Sequence, residues 1–260
     1  MQIVGYDTGV DARRDEGLLE RDPALLLASD GTVERVSLST STELHYRLDR
    51  RHCAGILDGE THEPCDAESA PYCDRHESTW PCARCTGNCD LPVPSCREDH
   101  AVYIAGFAPA TFKVGVTRDW RLRARFREQG ADRAAHIRTV TDGRIARQIE
   151  SELAETIGDQ VRVATKVRGF GQDVEETPWQ ELLADFDPIE TFAFDYGLDL
   201  DRPPIQETLL SGTVLGTKGR VLVVARNRTH YGVDMRDLLG YEVTAGTIER
   251  DRQSSLGSFK

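Results

Sequence analysis

The chain has 260 residues, enough for a sizeable core, and carries 44 Asp and Glu against 32 Lys and Arg, a formal net charge of −12. Four of those 32 cations are lysines. A lysine-poor acidic surface stays hydrated in concentrated salt, so the charge reads as a halophilic adaptation and carries no information about a ligand. No apolar run approaches the ~20 residues of a membrane span, and Met1-Gln2-Ile3-Val4-Gly5 lacks the basic start and apolar core of a signal peptide; a cytoplasmic protein without a membrane partner is expected.

Residues 1–52 form a first, β-rich segment. Gln2–Tyr6, Thr32–Leu38 and Glu43–Leu48 alternate as half-buried strands do, and Asp30-Gly31 supplies a turn before the second.

Residues 53–100 hold all seven cysteines, Cys53, Cys65, Cys73, Cys82, Cys85, Cys89 and Cys96. The pairs Cys73/His76 and Cys82/Cys85 have the two-residue spacer of a metal knuckle, which lets two soft ligands meet one tetrahedral Zn²⁺. With His76 there are eight ligands, and these make two closed structural sites. A sequential partition puts Cys53, Cys65, Cys73 and His76 at one zinc and Cys82, Cys85, Cys89 and Cys96 at the other. Spacing leaves an interleaved partition and an iron–sulfur alternative open, with His52, His62 and His100 as spare ligands. A span so poor in aliphatic residues cannot make a core of its own, so metal binding would supply its folding energy.

Residues 101–165 follow. Ala101–Phe107 and Phe112–Thr117, separated by Ala-Pro-Ala-Thr, predict a hairpin, since Pro109 fits a turn and not a paired strand. Trp120–Arg127 alternates like a strand, but Asp119 as a cap and arginine's helix propensity favour a helix with Leu122 and Phe126 inward. Arg121, Arg123, Arg125 and Arg127 then form an exposed face. Thr117–Arg147 holds nine arginines against four acidic residues, and such a face, with Lys113 beside it, suits the phosphates of a nucleic acid. A third strand is expected at His136–Val140. A second helix runs from a cap at Asp142 to Gly158, with Ile145, Ile149, Leu153 and Ile157 as its apolar stripe.

Residues 166–260 return to β structure. Thr177-Pro178-Trp179-Gln180 starts a short helix with threonine as cap; Glu190–Tyr196, Leu209–Leu215 and Arg220–Ala225 are strands, the last two joined by Gly216–Gly219. The two β-rich ends are expected to pack together. Gln253–Lys260 reads as a disordered tail.

The central unit resembles the GIY-YIG nuclease domain. Ala101-Val102-Tyr103 stands at the first motif and Lys113-Val114-Gly115 at the second, with Lys113 in place of the motif tyrosine; the family's arginine falls at Arg123 and its glutamate at Glu150. Cys96-Arg97-Glu98, His100–Ala105, Lys113–Arg118, Glu128–Ala131 and Ala146–Glu150 are similar to blocks of the uncharacterised family of domain of unknown function 2797. The first resemblance implies an α+β fold: a GIY-YIG-like βαβ(α) centre, a Cys-rich zinc module and flanking β-rich segments. In a metal-dependent phosphodiesterase Glu150 would hold Mg²⁺ or Mn²⁺, Tyr103 would help deprotonate water, and Arg123 would stabilise the pentavalent phosphate. The alternatives are a zinc-stabilised nucleic-acid-binding protein without turnover, favoured by Lys113 and Arg127 where the motif differs, and a zinc-stabilised protein–protein adaptor.

Overall fold

The computed structural model describes residues 1–77, 85–89 and 93–246. The N-terminal strands are β1 (Gln2–Asp7), β2 (Val10–Arg13), β3 (Gly17–Glu20), β4 (Ala24–Ser29), β5 (Thr32–Ser37) and β6 (Glu43–Arg51), followed by the short β7 (Ile56–Asp58) and β8 (Thr61–Glu63). Next come β9 (His100–Phe107), β10 (Thr111–Arg118), α1 (Leu122–Gln129), β11 (Arg133–Val140), α2 (Gly143–Ile157), α3 (Val163–Arg168), α4 (Glu176–Leu183) and β12 (Glu190–Ala193). The chain closes with β13 (Ile205–Gln206), β14 (Leu210–Lys218), β15 (Val221–Arg226), β16 (Thr229–Asp234) and β17 (Tyr241–Ala245). No described helix is long and apolar enough to cross a membrane.

The expected α+β fold with a GIY-YIG-like centre and zinc module is corrected by this architecture, which is β-rich, with 41% strand and 19% helix among the described residues. The dominant element is an 11-stranded sheet of order β13-β16-β15-β14-β6-β17-β1-β4-β5-β8-β7. The physical reason is strand exchange between the chain ends: β17 lies between β1 and β6, and β14 pairs β6 from Leu210↔Tyr46 to Thr213↔Glu43. Ile3, Leu25, Leu27, Leu44, Leu210, Leu222 and Val243 then bury one shared core. What was read as two flanks is one sheet, and the helix-bearing unit sits beside it with a separate four-stranded sheet, β10-β9-β11-β12.

Local chemistry explains the pairing. Asp30 and Gly31 both take positive φ (51° and 80°) and close the β4–β5 hairpin, as Asn227 and Arg228 (48° and 61°) close β15–β16; two successive positive φ values match strand twist. Gly216 is no turn residue: the register between β14 and β15 shifts between Val214 and Gly216, so it forms a bulge, and the turn comes at Gly219.

In the four-stranded sheet, β9 pairs β10 from His100↔Arg118 to Phe107↔Thr111, so Tyr103 faces Gly115 across the strands. Asp119–Arg121 forms a 3-10 turn, and α1 begins only at Leu122, without a side-chain cap. Leu122 and Phe126 are buried, as expected. Asp142 caps α2, its carboxylate accepting from the Arg144 N–H at 2.8 Å. The α2 stripe holds at three of its four expected positions: Ile149, Leu153 and Ile157 pack inward, with Ala146 and Ala154 beside them, and Ile145 is exposed. In α4 the cap position is Glu175, not Thr177, and no side chain caps it.

Candidate metal centre and the cationic cleft

Cys53 follows β6 directly and is fully buried; Cys65 and Cys73 are buried on the loops after β8, and His76 is half-buried. Backbone bonds draw these loops together, with the Cys53 N–H donating to the Ala67 carbonyl and the Ala54 N–H to the Pro71 carbonyl, both at 2.9 Å. The His76 N–H closes the Cys73-x-x-His76 knuckle on the Cys73 carbonyl at 2.8 Å. One ligand atom from each of the four residues lies within 4.8 Å of all the others. His76 Nδ1 is 3.2 Å from Cys53 Sγ and 3.5 Å from Cys73 Sγ, and Cys65 Sγ is 4.0 Å from Cys73 Sγ. A tetrahedral Zn²⁺ with thiolate and imidazole ligands has edges of about 3.5–3.8 Å, so the cage has the right size.

The surroundings fix the ligands. The N–H groups of Cys73 and Gly55 point at Cys53 Sγ, at 3.3 and 3.5 Å. Burial pushes the Cys53 thiol up, against those two N–H groups. Gly55 has φ +67°, and a Cβ there would stand 2.0 Å from the Glu63 carbonyl oxygen, so only glycine lets the chain turn back under Cys53. His52 and His62 are supports, not ligands: His52 Nδ1 lies 2.9 Å from the Cys65 carbonyl oxygen and His62 Nε2 2.8 Å from that of Ala54. Sequence reasoning left both as spare ligands, and only the backbone geometry distinguishes the two roles.

The second expected set is described in part, because Cys82 lies outside the described residues. Cys85 and Cys96 are half-buried, Cys89 is exposed, and the Gly87 N–H approaches Cys85 Sγ at 3.3 Å. Cys85 and Cys96 line a pocket of about 250 Å³ with His100 and Arg144 at the start of α2.

The three proposed catalytic residues do not share one site. Tyr103 is 1% exposed; its Oη accepts from Gln129 Nε2 at 2.7 Å, and burial raises its phenol pKa. Its charged neighbours are Arg125 and Glu150. Arg123 points elsewhere, pairing with Glu190 at 2.7 Å and covering the Phe192 ring. Arg125, two positions further on, is the guanidinium that acts on Tyr103. Glu150 is held by Arg147 at 2.6 Å.

The expected phosphate-binding face of α1 is neutralised. Arg121 and Arg125 both reach Glu128, at 2.6 and 3.3 Å, Arg123 reaches Glu190, and Arg127 reaches Glu20 at 2.9 Å. Sequence distance hides the partners of Arg123 and Arg127, since Glu190 and Glu20 come from β12 and β3, while Glu128 lies on α1 itself.

A cleft of about 1130 Å³ opens between the large sheet and the helix-bearing unit, and Lys113, Arg125, Lys166 and Arg220 line it. Lys113 has no hydrogen-bond or ion-pair partner among the described residues; burial, with Arg125 nearby, lowers its pKa to about 8. Lys166 donates to the Gln129 carbonyl at 2.6 Å and lies over the Phe107 ring. Burial, and then the charges of Lys113, Arg220, Arg125 and Lys218, lower its pKa to about 7. Nothing in local sequence pattern singled out Lys166 or Arg220; the scarcity of lysine was the available signal.

The family model described as Protein of unknown function (DUF2797) matches residues 68–196, so this part of the chain is similar to that family. No curated protein and no solved structure matches.

Proposed function

We propose that this chain is a zinc-stabilised nucleic-acid-binding protein, with one Zn²⁺ held by Cys53, Cys65, Cys73 and His76. The observation that carries the metal half is the convergence of these four soft ligand atoms within 4.8 Å. Three thiolates and an imidazole complete a tetrahedron and leave no open position, which is the donor set of a structural site. The ion would tie the end of β6 to the loops after β8, beside His52, whose Nδ1 lies 2.9 Å from the Cys65 carbonyl oxygen and whose Nε2 lies 3.1 Å from a Glu242 carboxylate oxygen, both acceptors. A second Zn²⁺ at Cys82, Cys85, Cys89 and Cys96 belongs to the same proposal.

The ligand half moves from the outer face of α1 to the cleft, where Lys113 has no ion-pair partner among the described residues and Arg125 is the one α1 arginine in the lining, sharing Glu128 with Arg121. Binding without turnover is the reading favoured here: Tyr103 is buried with a raised pKa, Arg123 faces away, and Glu150 is occupied by Arg147. Elemental analysis of the purified chain tests the metal half. One to two equivalents of zinc are expected; less than one, or a visible iron chromophore, would refute it. Loss of oligonucleotide binding on raising salt, with a slope reduced by Lys113→Ala, tests the ligand half.

A further inference from the structure

We propose that the end of the cleft formed by β10, α1 and α3 is a phosphate-binding site, in which Lys113, Lys166, Arg125 and Arg220 receive the phosphate group of a ligand whose organic body occupies the rest of the cleft. The inference does not rest on nucleic acid as the ligand, since a free phosphate monoester would satisfy it.

The argument begins with placement. The chain has four lysines, and two of them, on different elements, line this one cleft. The charges that weigh most on Lys166 are those of Lys113, Arg220, Arg125 and Lys218, all cations, and three of these line the same cleft. The only hydrogen-bond partner of Lys166 among the described residues is a neutral carbonyl, that of Gln129. The same Gln129 uses its side chain on Tyr103 Oη and on the Arg125 carbonyl, at 2.7 and 3.2 Å, which ties the carbonyl that holds Lys166 to the end of α1.

Glu128 is shared between Arg121 and Arg125, Arg220 is held by Asp234 outside the cleft lining, and Asp159 lines the wall near Lys113 without an ion pair among the described residues. Glu150 also acts on Lys113, and over its whole lining the cleft carries seven Lys and Arg against five Asp and Glu, so the lining is net cationic. Half-buried like charges repel through a medium less polar than water, and this arrangement is relieved by an anion more than by solvent. A phosphate monoester offers about two negative charges and three acceptor oxygens, enough for two ammonium groups and a guanidinium fork together. A carboxylate offers fewer. The cleft volume of about 1130 Å³ exceeds a lone phosphate and suits a ligand of roughly nucleotide size. Leu26, Val33, Val161 and Val163 supply apolar wall for its body.

The depressed lysine pKa values make the site directly readable, because a neutral amine is the form that acylates. The full-length chain is treated with an amine-acylating reagent near pH 7.5 in chloride, in inorganic phosphate or in a nucleoside monophosphate, at equal ionic strength, and the four lysines are mapped by mass spectrometry. Phosphate is expected to slow Lys113 and Lys166 at least tenfold relative to chloride and to leave Lys218, already bound to Asp132, unchanged. In calorimetry Lys113→Met and Lys166→Met should each weaken phosphate binding at least tenfold. Equal acylation in phosphate and chloride would overturn the site, whether or not either variant folds. An added oligonucleotide separates the ligand sources. Protection by the nucleoside monophosphate but not by the oligonucleotide upholds this site and refutes nucleic acid as the ligand; protection by both upholds the two together.

Discussion

The ring of Tyr103 lies directly against the backbone of Gly115: a Cβ at Gly115 would fall 2.4 Å from Tyr103 Oη and 2.5 Å from Cζ. The two residues stand opposite each other in the β9–β10 ladder. Tyr103 cannot retreat, because it meets Phe126 edge-on with ring centroids 5.0 Å apart and its Oη is bound by Gln129. Gly115→Ala should therefore destabilise the fold by about 1–3 kcal/mol through overpacking. Urea unfolding measures it, and an unchanged midpoint would mean that the ring has room to move.

This pair also shows how far the sequence could be read. The hairpin, α1, β11 and α2 were legible because their periodicities, the cap at Asp142 and the Pro109 turn are local signals. The 11-stranded sheet was not, because β17 and β1 are brought together by pairing across almost the whole chain, Gln2↔Glu242. The same limit applies to the sites. Cys53, Cys65, Cys73 and His76 were predicted by ligand type and short spacing, and they do converge. Arg123 and Arg127 pair with Glu190 and Glu20 on strands remote in sequence, which no local pattern announces, whereas the Glu128 that serves Arg121 and Arg125 lies within α1 itself.

Metal removal should loosen the region that the ligands tie together. Cys73→Ser is expected to lower bound zinc by one equivalent and to make the loop after β8 sensitive to protease, since an incomplete tetrahedral site loses affinity and folding energy together. Zinc content and limited proteolysis check it. Undiminished zinc in the variant would remove Cys73 from the ligand set.

Gly55 offers a test that leaves every ligand in place. Gly55→Ala puts a Cβ 2.0 Å from the Glu63 carbonyl oxygen at a φ of +67°, so the turn beneath Cys53 must shift. Zinc should then be released to a chelator at least tenfold faster, with the Cys53, Cys65, Cys73 and His76 side chains intact. Identical release rates would show that the turn does not hold the cage.

Lys166 gives a pH signature. Its folded pKa of about 7 lies below the ordinary 10.5. Between those values the unfolded chain holds a proton that the folded chain has released, so this residue's contribution to stability rises with pH across that window. Below about 7 both states are protonated, and the full penalty of an ammonium facing Lys113, Arg220, Arg125 and Lys218 applies. Lys166→Met removes the penalty. The stability of wild type relative to Lys166→Met should accordingly rise from pH 6 to pH 10 in urea titrations without phosphate. Parallel curves would mean that the amine is not desolvated.

Glu150 separates a phosphate-binding cleft from a phosphodiesterase. A catalytic glutamate would hold a hard divalent ion against the substrate phosphate, and its amide would abolish metal-dependent cleavage. In this fold Glu150 instead accepts from Arg147 at 2.6 Å, and its charge is among those felt by Lys113. Glu150→Gln should cost about 1 kcal/mol or less, because the partner guanidinium is about a third exposed. Removing a carboxylate near Lys113 should also tighten phosphate binding several-fold at low salt, since an anion would then meet less negative charge. The two readings thus predict opposite signs for one substitution: tighter phosphate and no cleavage to lose, or intact binding with Mg²⁺-dependent cleavage destroyed. Cleavage that survives repurification of wild type and vanishes in Glu150→Gln would overturn the non-catalytic reading, while tighter phosphate binding without cleavage would support it.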